Sequence, residues 1–140
     1  MRRKLVKAGV VALAFVPGIA SAQFGGTPWH VNDFPGQGNF EVIEGFSGFT
    51  TGFWCRAGNY AVTEYGARGA DRIYVMTPYG RSQVSDKRRA VGFTVSPDAD
   101  LLAKAAGVNS NSLSVSREGY NITVGHAKGY CTLNHTIGRP

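Results

Sequence analysis

The chain has 140 residues, with fifteen Lys and Arg against nine Asp and Glu and a formal charge of +6. Four of the basic residues, Arg2, Arg3, Lys4 and Lys7, fall in the first 22, so the rest carries eleven against nine, or +2. A charge that small is no electrostatic footprint for nucleic acid, which calls for a concentrated basic face.

The four basic residues precede an apolar run at residues 8–16 and the small-x-small triplet Ala20-Ser21-Ala22. This pattern predicts a secretory signal peptide over residues 1–22, cut before Gln23. As a membrane anchor the run is too short, since a spanning helix needs about 20 apolar residues. The opening Arg2-Arg3-Lys4-Leu5-Val6-Lys7 is similar to the twin-arginine export consensus. An ordinary basic leader is the simpler reading, and no cysteine lies at the cut, as a lipoprotein would require. The expected product is a periplasmic or secreted bacterial protein of about 118 residues, one domain with a single modest core. No later stretch is apolar enough to span a membrane.

Residues 23–39, rich in Gly, Pro and Asn with Phe24, Trp29 and Phe34 interspersed, lack periodicity and read as an extended or mobile arm. Residues 40–140 read as one domain. Residues 40–44 have strand character, and the glycines after them mark a turn. From Phe53 the spacing of Trp54, Ala57, Ala61 and Tyr65 predicts a helix ended by Gly66. Gly58 inside it is unfavourable by about 1 kcal/mol relative to Ala. Residues 72–77 alternate as a strand expected to stop at Pro78-Tyr79-Gly80, and residues 90–96 alternate with Val91, Phe93 and Val95 on one face. Between them lies a polar loop bearing Lys87-Arg88-Arg89.

Ser96-Pro97-Asp98 predicts a helix start, with the Ser96 hydroxyl as cap and Leu101, Leu102 and Ala105 buried, ending at Gly107. Residues 112–116 alternate as a strand, with residues 120–122 as its returning partner. Val124, Ala127 and Cys131 then predict a short terminal helix. Strands and helices follow without regular βαβ alternation, so the fold class expected is α+β, a small antiparallel sheet covered on one face by helices.

The two cysteines, Cys55 and Cys131, lack metal-ligand spacing, and in an oxidising compartment such a pair is most simply a disulfide. The competing reading is a nucleophilic thiol served by His30, His126 or His135. Neither cysteine stands in a C-x-x-C or C-x-x-C-H motif. Two histidines flank Cys131, and with His30 they supply zinc or copper ligand types, although the spacing matches no zinc pattern. The sequons Asn121-Ile-Thr123 and Asn134-His-Thr136 matter only in a eukaryotic secretory pathway and are treated as chance.

Trp54-Cys55-x-Ala57-Gly58-x-Tyr60-Ala61, with Arg72-Ile73-Tyr74 and Val91-x-Phe93 after it, resembles a pattern in small exported bacterial proteins that are uncharacterised. The resemblance spans roughly the middle third of the chain. It implies a small periplasmic or secreted domain and brings no catalytic residue.

No GxGxxG, P-loop, GxSxG or HExxH motif occurs. The first functional expectation is therefore a noncatalytic binding or interaction protein, without cofactor or metal, whose partner is a protein or envelope component. Its contact loop would run from residue 77 to 89, with Tyr79, Arg81, Lys87, Arg88 and Arg89 projecting. The rivals are a small secreted hydrolase assembled around His126 or His30, and a metal or cofactor carrier.

Overall fold

The structure, a computed structural model, describes residues 28–45, 49–109 and 111–137. The leader expected over residues 1–22 lies outside them, as do the side chains from residue 133 onward, His135 among them. The elements are β1 (His30–Asp33), β2 (Asn39–Ile43), α1 (Thr50–Tyr65), β3 (Arg72–Arg81), β4 (Arg89–Thr94), α2 (Ala99–Ala106), β5 (Asn121–Thr123) and α3 (Val124–Ile137). The strands form one antiparallel sheet in the order β1-β2-β4-β3-β5, and with the helices packed on it the fold is α+β.

Alternation along the strands sends Phe40, Val42, Ile73, Val75, Val91 and Phe93 to one face, where each is fully buried. That face is covered by α1 and α3. From α1 come Phe53, Trp54, Ala57 and Ala61, and from α3 Val124 and Ala127. Trp54 meets Phe93 edge to face at 5.0 Å between ring centres, and Phe40 stacks on Phe93 at 5.8 Å. Such aromatic pairs add about 0.5–1.5 kcal/mol each beyond the area they bury.

The first helix ends as its glycine predicts. Gly66 is left-handed at φ 62°, and the N–H groups of Gly66 and Ala67 donate to Val62 and Ala61. Gly58 has a tertiary reason for being there. A Cβ on it would stand 3.0 Å from both the Ala127 methyl and the Lys128 backbone nitrogen, so its bare backbone is what lets α1 and α3 cross closely. Beside that crossing Cys55 and Cys131 are joined in a disulfide, with Cα atoms 4.8 Å apart. The first turn of α3 is satisfied from outside: Val124 N–H donates to the Asp71 carbonyl and Gly125 N–H to that of Gly69.

Several sequence expectations are corrected. Part of the expected arm, residues 30–33, is the edge strand β1, paired with β2 from His30↔Ile43 to Asp33↔Phe40. It is tied to α1 by Asp33, whose Oδ1 accepts from the hydroxyls of Tyr60 (2.8 Å) and Tyr65 (2.9 Å). β3 does not stop at Pro78. It runs to Arg81 with register shifts between Val75 and Thr77 and between Thr77 and Gly80, and because β5 pairs only its first three residues, Pro78 lies where no neighbouring strand needs its N–H.

The helix α2 is capped by Asp98, whose carboxylate accepts from Leu101 N–H at 2.8 Å, and not by Ser96, whose N–H instead donates to Thr94 Oγ1. Leu101 is buried in α2, whereas Leu102 is 46% exposed and Ala105 only half-buried. Residues 112–116 are irregular, so β5 pairs with β3 rather than with them. Ser114 Oγ accepts from Ser116 N–H, a local bond that competes with a strand ladder.

Candidate functional site

The β3–β4 hairpin is built on a buried acid. Glu41 is 3% exposed on the sheet face away from α1, opposite Gly92, and its carboxylate accepts from Ser82 Oγ (3.0 Å) and Gln83 N–H (2.9 Å). Ser82 Oγ in turn accepts from Val84 N–H and Ser85 N–H. The polar loop expected between the two strands is thus held from beneath by one carboxylate and one hydroxyl.

On the helix-facing side of the same end stands a chain of rings. Trp29 meets Phe53 edge to face at 4.9 Å and Phe53 meets Tyr79 at 5.6 Å. Arg56 lies over Trp29, and Arg89 lies 5.6 Å over Tyr79. The Tyr79 hydroxyl donates to the Glu44 carboxylate at 2.9 Å. Burial and the Glu44 carboxylate both push the Tyr79 phenol above its ordinary value, while Arg89 pulls it down.

The five residues expected to project therefore divide. Arg88 is committed inward, its guanidinium donating to the Pro28 carbonyl at 2.9 Å and to that of Glu44. Tyr79 and Arg89 are half-committed, each bonded or stacked yet exposed. Arg81 and Lys87 are exposed and pair with no carboxylate among the described residues. The sequence reading missed two exposed apolar residues, Phe49, 64% exposed ahead of α1, and Val84, 52% exposed in the hairpin loop. Only Gly48, directly ahead of Phe49, hinted at an exposed aromatic.

Charges of both signs stand at each end of the sheet. The hairpin end holds Arg81, Lys87, Arg88 and Arg89 against Asp86 and the hydrogen-bonded Glu41 and Glu44. The opposite end, where β3 begins and α2 sits, holds Asp71, Asp98, Asp100 and Glu118 against Arg68, Arg72 and Lys104, with Arg68 paired to Asp71 and Lys104 bonded to Glu118 at 2.7 Å.

His30 and His126 are not brought together. His30 opens β1 at one edge of the sheet, and His126 lies exposed in the first turn of α3, beyond β5 at the other. His126 stacks on Tyr130 and its Nε2 lies 3.0 Å from the Tyr130 hydroxyl. Among the described residues no three His, Cys, Asp or Glu stand close enough to share a metal ion. Neither sulfur is a thiolate, both being in the disulfide. No family model matches the chain, and neither a curated protein nor a solved structure matches it.

Proposed function

We propose that the protein is an exported, disulfide-stapled binding module that meets an anionic envelope component through its hairpin end. The unpaired cations of the hairpin carry this reading. Arg81 and Lys87, which pair with no carboxylate among the described residues, share the hairpin with the exposed apolar side chain of Val84. That pairing suits a surface with phosphate groups outside and hydrocarbon within. Export is supported by the leader pattern and by the disulfide, which persists in oxidising compartments. No described helix is long and apolar enough to cross a membrane.

Co-sedimentation of the oxidised mature protein with phosphatidylglycerol-containing vesicles tests the reading, with phosphatidylcholine vesicles as reference. Each cation near an anionic surface contributes about 1 kcal/mol, so Arg81→Ser with Lys87→Ser should weaken binding roughly 30-fold. Added salt should weaken the wild type in the same direction. Equal binding to both vesicle types, or binding unchanged in the double variant, would refute the assignment.

A further inference from the structure

Between α2 and β5, residues 107–109 and 111–120 belong to no strand or helix. Residues 114–120 are nonetheless firmly placed. Trp54 Nε1–H donates to the Ser114 carbonyl at 3.1 Å, and Tyr79 N–H donates to the Val115 carbonyl at 2.8 Å. Val75 exchanges two 2.8 Å backbone bonds with it, accepting from Gly119 N–H and donating to the Tyr120 carbonyl. Val115 and Tyr120 are buried, and Tyr120 packs 5.8 Å from Trp54. A core tryptophan, fully buried, is thereby the backstop of a surface feature.

That feature is a recess of about 510 Å³, within the range of small-molecule sites. Its lining includes Asn109, Asn111, Ser112, Ser114, Arg117 and Tyr120, and no carboxylate among the described residues. Two other recesses differ on this point, one being lined by Asp71 and the other by Asp98, Asp100 and Glu118. Arg117 is exposed and has no carboxylate partner among the described residues. A guanidinium can hold an oxyanion by two parallel N–H bonds, while the amides and hydroxyls around it both donate and accept, as sugar hydroxyls do.

We infer that this recess binds a small hydroxylated carboxylate, a sugar acid or hydroxy acid, with Arg117 on the carboxylate and the Asn and Ser side chains on the hydroxyls. The recess shares no lining residue with the hairpin, and its assignment stands whether or not the hairpin end binds an anionic surface.

The test is an amide-resolved NMR titration of the oxidised mature protein at low ionic strength with gluconate, and in parallel with glucose as the uncharged analogue. Gluconate should give saturable shifts confined to residues 109–120, and glucose should bind at least about tenfold more weakly, the loss expected when a charged hydrogen bond is missing. Arg117→Gln, a surface change, should weaken gluconate by a similar factor, and Tyr120→Phe, which keeps the buried ring, by less. Arg81→Ser with Lys87→Ser should leave gluconate binding unchanged. The inference is overturned by shifts that survive Arg117→Gln, by equal binding of glucose, by shifts centred on the hairpin, or by no saturable shift at millimolar gluconate.

Discussion

Replacing both Cys55 and Cys131 with Ala should cost this fold a large share of its stability. The bridge closes a separation of 76 residues, for which the chain-entropy relation gives about 4.5 kcal/mol at 25 °C. Cys55 is 2% exposed, and the small cavity left by its sulfur would add to that loss. Set against roughly 5–15 kcal/mol for a domain of this size, the loss should lower the melting temperature by on the order of 15–20 °C. Urea unfolding followed by far-UV circular dichroism, with slopes compared between variants, measures it.

The disulfide also predicts where unfolding begins. α3 is held by its crossing with α1 at Gly58 and by the short β5 before it, so hydrogen exchange in the double variant should accelerate first in residues 124–132. A loss below about 1 kcal/mol, against the figure the loop-closure relation gives, would refute the claim that this bridge is a principal restraint. Alkylation of either cysteine in unreduced protein would refute it more directly.

At the helix crossing, Gly58→Val should destabilise by about 1–2 kcal/mol in urea titrations despite its better helix propensity, because added methyls must displace the Lys128 backbone; an unchanged midpoint would show that the close approach is dispensable. Glu41→Ala should cost about 1–3 kcal/mol and speed amide exchange at Gln83, Val84 and Ser85, since Ser82 and Gln83 lose their buried acceptor; protected amides in this variant would contradict the pinned hairpin. The Tyr65 phenol is pushed up to about 12, first by burial and then by Asp33, and that of Tyr60 is raised by the same causes. Because the folded values lie above the unfolded ones, the associated stability is complete below pH 10 and declines as pH rises from 10 towards 12 and the unfolded chain ionises first. Asp33→Asn should reduce that alkaline decline without abolishing it, since burial remains; melts at pH 9 to 11 with identical slopes in both proteins would argue against the Asp33 contribution.

Much of the α+β architecture is written in local pattern, and the places where pattern misleads share a cause. The spacing of Trp54, Ala57, Ala61 and Tyr65 encodes α1 because one helix face is enough to reveal burial. β1 escapes notice because a four-residue edge strand shows only Val31 as an apolar residue. Ser-Leu-Ser-Val-Ser alternates like a strand, yet its Ser side chains supply local bonds and its Leu113 and Val115 reach the core without a ladder. For the surface, sequence identifies the basic hairpin but not which cations are spent inside, since Arg88 answers to the carbonyls of Pro28 and Glu44, 60 and 44 positions away.

Taken alone, the order of amino acids determined the positions of three helices, the alternating strands at residues 40–43 and 90–94, and the pairing of the only two cysteines. These follow from side-chain period and composition, which neighbouring residues already contain. Tertiary structure alone decided the sheet order, the need for glycine at position 58, the inward commitment of Arg88 and the gathering of Arg117 with Asn and Ser side chains around a recess. Each of these depends on distances between residues far apart in the chain, and such distances exist only once the apolar faces have found one another and closed the core.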